Sequence, residues 1–293
     1  MKKCYIIGID DNRGREFTEE VKRLVAGHEV FSGGKRHYEL VRERLPEGHV
    51  WIDITVPLED VFARYEEHDE VVVFASGDPL FFGFANTVRW RLPEVAVAVF
   101  PWFNSLQTLA HRLVIPYHDM RVVSLTGRPW HEFDRALIEG SGKLGVLTDR
   151  QHTPGAIAAR MLAYGYGNYR MTVGECLGND ADERVRTLTL EEAAALEFRQ
   201  PNCLLLERTA PRERFFGIPE SRFHLLDGRA KMITKMPVRL LTLSMLDLQN
   251  RRSFWDIGFC TGSVSIEAKL RFPHLQVTSF EVREEGRALM EEN

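Results

Sequence analysis

The feature that most constrains the fold of this chain is a regular alternation of short apolar runs with longer amphipathic stretches. Strand-like runs are KCYIIGI (residues 3–9), VVVFA (71–75) and VAVAVF (95–100), and helix-like stretches include REFTEEVKRLVAG (15–27) and NSLQTLAHRL (104–113). Strands that alternate with helices are usually joined by crossover connections, which lay the strands parallel in one sheet. The sequence therefore predicts an α/β protein with mostly parallel sheets.

Breaks in this alternation divide the chain into four parts. Residues 1–114 and 115–208 are each predicted to form an α/β lobe, the second with antiparallel pairing at its edge. The stretch 209–219 contains two prolines, one glycine and several charged residues, which indicates a linker. Residues 220–293 then read as helix, strand, helix and strand, the start of a third unit.

Composition and charge exclude several classes of protein. The formal net charge is −4, whereas proteins that bind nucleic acid concentrate Lys and Arg on one surface. The longest apolar runs are far shorter than the roughly 18 residues of a membrane-spanning helix. Two aspartates interrupt the first apolar run, so the N-terminus does not resemble a signal peptide. We therefore expect a cytoplasmic protein with neither a nucleic acid nor a membrane as partner.

The cysteines and histidines do not form a metal-binding pattern. Cys4, Cys176, Cys203 and Cys260 lie far apart, and the ten histidines include no HExxH arrangement. Structural zinc sites usually draw pairs of ligands from closely spaced residues. The sequence therefore predicts buried free thiols and no metal site.

The clearest local motif in the first lobe is FASGDPLFFG (74–83). A Ser-Gly-Asp turn after a strand exposes backbone N–H groups at the edge where α/β sheets bind ligands. A helix is predicted from Pro79, because proline is favoured in the first turn of a helix. Asp78 could bind a ribose or an amine, or it could cap this helix. The motif alone leaves both roles open.

A second glycine-containing fingerprint, FWDIGFCTGSVSIEA, occupies residues 254–268. Asp256 and Gly258 end a strand, Gly262 precedes a helix, and Glu281 lies nineteen residues after Gly262 near the end of the next strand. A carboxylate at about this spacing binds ribose hydroxyls in Rossmann-like folds. The turn alone does not distinguish S-adenosylmethionine (SAM) from NAD, so an NAD-dependent oxidoreductase is an alternative.

Several separated motifs together resemble the tetrapyrrole methylase family. In chain order they are IIGID, SGDPLFFG, FPWFNSLQTLAHRL, SLTGRPW and GVLTDRQHTPGAIAARMLAYGYGNYRMTVGECLGNDADERV. The last is similar to the branch that methylates ring carbon five of precorrins or cobalt-precorrins in corrin (vitamin B12) biosynthesis. The resemblance extends to about residue 210. It implies two α/β lobes that enclose SAM in the cleft between them.

The resemblance also implies which residues line the cofactor cleft. They are Ser76, Gly77, Asp78, Leu80, Phe81, Ser105 and Leu106 in the first lobe, and Thr126, Gly127 and Leu177 in the second. Leu80 and Phe81 equally fit a helix-to-sheet contact, and Ser105 equally fits a helix N-terminus. The chain departs from the family after Gly8, where Asp10 and Asp11 lie in a turn that is commonly rich in glycine and proline. Gly8 is therefore interpreted as a close-packing glycine.

The substrate implied by the resemblance is an anionic tetrapyrrole, a precorrin. Its acetate and propionate groups suit guanidinium recognition, which makes Arg36, Arg128 and Arg150 candidate substrate clamps. A solvated surface arginine is the alternative for each. His37 and His152 are candidate acid–base groups. A homodimer is a further implication, because related methylases often form one.

The last part of the chain resembles a different methyltransferase family. MITKMPVRLLTLSML (232–246) and the Asp-x-Gly-x-x-Thr-Gly turn are similar to Rossmann-like enzymes that methylate ring carbon fifteen and decarboxylate the acetate at ring carbon twelve. A second SAM site would then contain Thr234, Asp256, Gly258, Gly262 and Glu281. Cys260 and Pro237 depart from that pattern, since a glycine and an acidic residue are commoner at these positions.

Enzymes that fuse the two methyltransferases in one chain have this order of domains. We therefore expect residues 220–293 to form an incomplete Rossmann-like domain that performs little chemistry alone, as part of a longer fusion. A tetrapyrrole-binding protein without catalysis is a second alternative.

Overall fold

The computed structural model describes residues 1–212, 216–229 and 231–293, so residues 213–215 of the predicted linker and residue 230 lie outside the described residues. The chain forms two compact units. The first comprises residues 1–129 and 142–209, and the second comprises residues 130–141 and 210–293.

The first unit contains a five-stranded parallel sheet in the order β3-β2-β4-β1-β5. Its strands are β1 (Lys3–Ile9), β2 (Val30–Gly33), β3 (Val50–Asp53), β4 (Glu70–Ser76) and β5 (Ala96–Phe100). The helices between them are α1 (Glu19–Ala26), α2 (Lys35–Val41), α3 (Leu58–Glu66) and α4 (Phe84–Arg91). The predicted α/β architecture is confirmed, and β3 and α3 are additions that the sequence patterns did not indicate.

Both faces of this sheet are buried, as is usual for parallel strands. Ile6 and Val73 pack in one core cluster with Tyr65, whereas Ile7 and Phe74 pack in another on the opposite face. Successive residues of a strand point to opposite faces. The unbroken apolar run in β4 therefore supplies both cores and fixes β4 at the centre of the sheet.

The second sheet of the first unit has the order β6-β7-β10-β8-β9. Its strands are β6 (Arg121–Ser124), β7 (Lys143–Leu147), β8 (Tyr169–Glu175), β9 (Arg184–Leu188) and β10 (Asn202–Arg208), and the unit also contains α5 (Ser105–Leu113), α7 (Pro154–Ala163) and α8 (Leu190–Ala194). Only β6 and β7 pair in parallel. Antiparallel pairing reaches the central strand β10 and is not confined to the edge. β8 and β9 are joined without a helix, so the chain turns back on itself there.

The helix predicted to begin at Pro79 begins instead at Phe84. Before it, the Asp78 carboxylate accepts a hydrogen bond from the Leu80 N–H at 2.9 Å. Phe82 takes a positive φ of 54°, which a continuing helix does not allow. Asp78 therefore stabilises a tight turn and does not cap α4, and this turn brings two phenylalanines towards the ligand edge of the sheet.

The second unit contains a two-stranded parallel sheet of β11 (Ser253–Ile257) and β12 (Gln276–Phe280). Its helices are α6 (His131–Ile138), α9 (Met236–Met245), α10 (Ser263–Arg271) and α11 (Glu284–Glu292). One face of the sheet packs on a small core that includes Leu243 and Leu275. The other face carries Trp255, Ile257 and Phe280, which are exposed.

A buried ion pair organises the second unit. Arg239 and Glu267 are 0% and 1% exposed, and the guanidinium contacts the carboxylate directly. The remaining N–H groups of Arg239 donate to the Thr234 carbonyl and the Ile218 carbonyl. Glu267 accepts from the Ile218 N–H at 3.1 Å. The pair therefore ties α9 and α10 to the chain that precedes them.

We expect Arg239→Met to destabilise the second unit by about 3–5 kcal/mol, because it leaves Glu267 buried without its counter-ion. Native-state hydrogen exchange of peptides from β11 and α10 measures this loss. Arg287→Met is the matched control, since the Arg287 side chain is 87% exposed and pairs with Glu291 across one helical turn; it should cost less than about 1 kcal/mol. Equal exchange in the two variants would contradict the role given to the buried pair.

Candidate functional site

The carboxyl ends of the first sheet meet at a cleft of about 420 Å³. Its first-sheet lining includes residues that follow β1, β2, β4 and β5, among them Asp11, His37, Gly77 and Ser105. This is the edge at which open α/β sheets bind ligands. The position agrees with the expectation drawn from the Ser-Gly-Asp motif.

The second sheet completes the cleft. Leu147 at the end of β7, Leu177 just after β8, and Asn202 and Cys203 at the start of β10 all line it. They meet at one edge because β10 runs antiparallel to β7 and β8, with Cys203 opposite Leu147. The volume is within the range of roughly 300–1,000 Å³ that is typical of small-molecule sites.

Two glycines allow three loops of the first sheet to meet. A side chain at Gly8 would collide with the Gly77 carbonyl oxygen, and a side chain at Gly77 would lie 2.8 Å from the Asn104 Cα. Gly77 also has a positive φ of 59°. Its N–H donates to the Ile9 carbonyl at 2.8 Å, and its carbonyl accepts from the Trp102 N–H at 3.2 Å. Gly8 is thus a close-packing glycine, as the sequence indicated.

Each aspartate of the turn after β1 has its own arginine. Asp11 accepts from Arg36 Nη1 at 2.8 Å, and Asp10 is paired with Arg15. The Arg15 guanidinium also lies over the Trp102 ring, 4.1 Å from its centroid. The two carboxylates are therefore neutralised, and their charge does not oppose an anionic ligand.

His37 and Arg36 both donate to Ser76. The distances to Ser76 Oγ are 2.9 Å from His37 Nε2 and 2.8 Å from Arg36 Nη2. On the other side of the ring, the Gly34 N–H donates to His37 Nδ1 at 3.2 Å. Burial, with the charge of Arg36, lowers the pKa of His37 to about 4. The imidazole is therefore neutral at neutral pH.

The structure brings about half of the sequence-predicted residues of the first unit into the cleft lining, and it leaves the others outside. Leu106 is buried beneath the cleft in the core around Leu109 and Cys203, and Leu80 is exposed. Those that line the cleft are Arg36, His37, Ser76, Gly77, Phe81, Ser105 and Leu177. Within the described part of the chain, Asp78, Leu80, Leu106, Thr126, Gly127, Arg128, Arg150 and His152 lie outside this lining.

Asp149, which sequence reasoning missed, joins the two loops of the second sheet that carry predicted residues. Its carboxylate accepts from the Gly127 N–H at 2.9 Å, the His152 N–H at 2.7 Å and His152 Nδ1 at 3.0 Å. Burial alone would raise the pKa of Asp149, but the hydrogen bonds from His152 and Gly127 hold it well below its usual range. A signal existed in the sequence, since an aspartate directly after a strand often binds nearby N–H groups.

Asn104 and Asn202 were also missed. Asn104 precedes α5 and forms a capping box with Gln107, whose N–H donates to the Asn104 side chain at 2.9 Å. Asn202 accepts from the Thr148 hydroxyl at 2.7 Å. The Asn-x-x-Gln spacing at residues 104–107 is a recognisable capping signal, whereas only the fold brings Asn202 to Thr148.

The predicted carboxylate of the second unit already has partners. Glu281 accepts from Arg283 Nη2 at 2.7 Å and from the Cys260 N–H at 3.0 Å. The Arg283 contact, opposed by burial and assisted by backbone N–H groups, lowers the pKa of Glu281 to about 2. A ribose would have to displace Arg283 to reach this carboxylate.

The glycine turn of the second unit has the left-handed geometry expected of a cofactor turn. Gly258, Cys260 and Gly262 have φ values of 79°, 52° and 71°, so Cys260 takes the conformation that usually selects glycine. Asp256 accepts from the Ser265 hydroxyl at 2.7 Å, and Thr234 is exposed. Asp256 on β11 therefore binds α10 through Ser265 and stabilises the contact between this strand and this helix.

Metal-binding groups and membrane-spanning helices were also sought among the described residues. Among residues 1–212, 216–229 and 231–293, no group of three or more His, Cys, Asp and Glu side chains is placed to hold a metal ion. Over the same residues, no helix has the length and apolar character needed to cross a membrane.

Comparison with known families gives two matches along the chain. Residues 3–194 match the family described as tetrapyrrole (corrin/porphyrin) methylases. Residues 226–293 match a precorrin methyltransferase domain.

Similar proteins are found for the whole chain and for its first part. A precorrin-6Y C(5,15)-methyltransferase [decarboxylating] from Sinorhizobium sp is 33% identical over 98% of this chain and 70% of its own length. A cobalt-precorrin-7 C(5)-methyltransferase from Salmonella typhimurium is 30% identical over 65% of this chain and 92% of its own length. A solved structure with a similar fold is uroporphyrin-III C-methyltransferase from Thermus thermophilus complexed with S-adenosylhomocysteine. It aligns with a TM-score of 0.55 and 24% sequence identity, and the alignment covers 70% of this chain and 92% of that chain.

The neutral state of His37 can be tested by its titration. Because the folded pKa lies below the ordinary value of about 6.5, unfolding takes up a proton between these two values. The free energy of unfolding therefore decreases as the pH falls from about 6.5 to 4, by up to about 3.4 kcal/mol. NMR of the imidazole should show titration near pH 4.

Denaturation across this pH range gives an independent measurement. His37→Gln should remove this contribution to the pH dependence, whereas the control His118→Gln, at an exposed position, should leave it in place. Titration of His37 near pH 6.5 would contradict the described environment.

Proposed function

The chain belongs to the tetrapyrrole methylase family, and we propose that its first unit transfers a methyl group from SAM to ring carbon five of a precorrin or cobalt-precorrin in cobalamin biosynthesis. The family expected from the motifs is confirmed by the match over residues 3–194. The observation that carries the proposal is the cleft at the carboxyl ends of the parallel strands, because five of the ten cofactor residues implied by the family motifs line it: Ser76, Gly77, Phe81, Ser105 and Leu177.

The cleft fits SAM by an independent structural criterion. Its lining combines apolar side chains, such as Phe81 and Leu177, with the polar groups of Ser76 and Ser105, and small-molecule sites are typically apolar with a few polar groups that fix the ligand's orientation. Ser76, Gly77, Phe81, Ser105 and Leu177 would hold the cofactor. When bound, SAM supplies a methyl group activated by its sulfonium.

Catalysis then depends on alignment and on exclusion of water more than on a nucleophilic side chain. Phe81, Leu147 and Leu177 provide apolar walls. His152 is bound to Asp149, and His37 is neutral and donates to Ser76. We therefore propose that these histidines hold their neighbours in place, and that acid–base chemistry by either is the less favoured role.

The candidate arginines suit the carboxylates of a tetrapyrrole by their charge, although Arg36 lines the cleft whereas Arg128 and Arg150 lie outside its lining. Arg128 bonds to Ser124 Oγ at 2.9 Å and lies 5.3 Å from the ring of Phe82, a lining residue. Arg150 makes no hydrogen bond or ion pair with any described residue and is exposed. We propose Arg150 and Arg128 as substrate clamps. Arg36 is the weaker candidate, since Asp11 and Ser76 already engage it.

We propose that the second unit contains the glycine turn of a cofactor-binding domain. With its described helices and strands alone, this unit should have little catalytic activity. One relative is named as a C(5,15)-methyltransferase that decarboxylates, and the match covers 70% of the length of that relative. Support comes from the occupied Glu281 carboxylate and from the exposed apolar face of Trp255, Ile257 and Phe280. The full activity, with loss of carbon dioxide from the carbon-12 acetate, would belong to the domain in its full-length form.

The alternatives carry less support. An NAD-dependent oxidoreductase would use only the second unit and leaves the first cleft without a role. A tetrapyrrole-binding protein without catalysis leaves the proposed SAM-binding residues without a role. A homodimer and a cytoplasmic location remain proposals.

The proposed reaction predicts a defined product. Incubation with SAM and a precorrin, followed by mass spectrometry, should show one added methyl group without loss of carbon dioxide. Two methyl groups with decarboxylation would contradict the limited role given to the second unit. Unchanged precorrin, with no SAM binding by calorimetry, would overturn the proposed function.

Gly77→Ala should abolish SAM binding, because the added methyl group meets the Asn104 backbone at a positive φ. Isothermal titration with S-adenosylhomocysteine measures the loss. Gly167→Ala is the matched control, since no atom lies within 4 Å of a Cβ at that position. If both variants bind like the parent chain, the SAM site does not lie at the Gly77 turn.

A further inference from the structure

The hydroxyl of Ser76 has two hydrogen-bond donors and no acceptor among the described residues. Arg36 Nη2 donates to its Oγ at 2.8 Å, and His37 Nε2 lies at 2.9 Å. A serine hydroxyl has two acceptor positions and one hydrogen to donate. With both acceptor positions taken, the hydrogen is left to point elsewhere.

The tautomer of His37 follows from the partner on its other nitrogen. The Gly34 backbone N–H is a donor under all conditions, so His37 Nδ1, at 3.2 Å, must be the acceptor. In a neutral imidazole the proton then resides on Nε2, which faces Ser76. His37 is thus a donor to Ser76 and does not accept the serine proton.

We propose that Ser76 is a dedicated hydrogen-bond donor to a carboxylate oxygen of a ligand in the cleft, and that His37 is the positioning residue that fixes this polarity. Ser76 lines the cleft and its side chain is exposed there. This inference rests on the proposed function and adds the chemical role of one residue pair to it.

The spare N–H donors next to Ser76 favour a carboxylate over an acceptor with a single oxygen. Arg36 donates one N–H to Asp11 and one to Ser76. A guanidinium has five N–H donors, so others are left for a ligand. A carboxylate oxygen could therefore accept from Ser76 and from a remaining Arg36 N–H together, and charge-assisted bonds of this kind are about twice as strong as neutral ones. The aminoacyl end of SAM and a precorrin side chain both carry such a group.

Calorimetry with two cofactor analogues distinguishes the two sources. S-adenosylhomocysteine carries the amino-acid carboxylate, and methylthioadenosine lacks it. If Ser76 binds the cofactor carboxylate, Ser76→Ala should weaken S-adenosylhomocysteine about 10- to 100-fold and leave methylthioadenosine within about twofold. Ser76→Thr, which retains the hydroxyl, should restore most of the affinity.

The substrate arm uses methyl transfer to precorrin-6Y at saturating SAM. If Ser76 binds a substrate carboxylate, Ser76→Ala should raise KM about 10- to 100-fold while S-adenosylhomocysteine binding stays unchanged. If neither the affinity nor KM changes, the inference is overturned. A parent chain that binds no S-adenosylhomocysteine and methylates no precorrin would instead refute the proposed function.

A double-mutant cycle tests whether His37 acts through Ser76. His37→Phe should weaken the affected ligand about 2- to 10-fold in the parent chain, and it should have no further effect once Ser76 is alanine. His37→Gln keeps an N–H donor and should recover part of the loss. Additive effects of His37→Phe and Ser76→Ala would contradict the positioning role.

A variant that loses a hydroxyl outside the cleft is the control for Ser76→Ala. Thr187 on β9 is exposed, and its hydroxyl lies 2.9 Å from that of Thr172. Thr187→Ala should leave ligand affinity and KM at their parent values. A comparable loss in this variant would mean that the Ser76 effect is a general destabilisation, which would overturn the inference.

Discussion

The site of this protein depends on how closely three backbone segments of the first sheet approach one another. Gly77 donates to the Ile9 carbonyl and accepts from the Trp102 N–H, so the loops after β1, β4 and β5 share one hydrogen-bonded junction. Side chains at Gly8 or Gly77 would force these loops apart. The cleft edge, the direction of Ser76 and the neighbouring helix N-terminus at Asn104 all depend on this junction.

Charge at the junction is balanced locally. The turn after β1 carries two aspartates, and Arg15 and Arg36 compensate for them. Arg36 then extends from Asp11 to Ser76, and His37 reaches the same hydroxyl from the next position in the chain. An unusual turn sequence is therefore linked to the polarity of a cleft hydroxyl, a connection that the sequence motifs did not indicate.

Much of the fold was predictable, because apolar runs such as that in β4 and the alternating helices require parallel crossover units. The features of the fold that were predicted wrongly or missed depend on tertiary contacts. The helix at Pro79 was misplaced because Asp78 and Phe82 form a turn first, and β9 is a short, partly exposed hairpin strand with a weak pattern. In the site, Ser76 and Gly77 were found from their motif. Asn202 was missed because its partner, Thr148, is distant in the chain, whereas Asp149 was missed although it follows a strand and binds the nearby His152.

The central claim, that SAM binds in the cleft of the first unit, is tested most directly by hydrogen exchange with and without S-adenosylhomocysteine. The account predicts protection of peptides that contain residues 74–83 and 103–108, because several residues of each range line the cleft, and no change at residues 256–262. Protection confined to residues 256–262 would place the cofactor in the second unit and contradict the account.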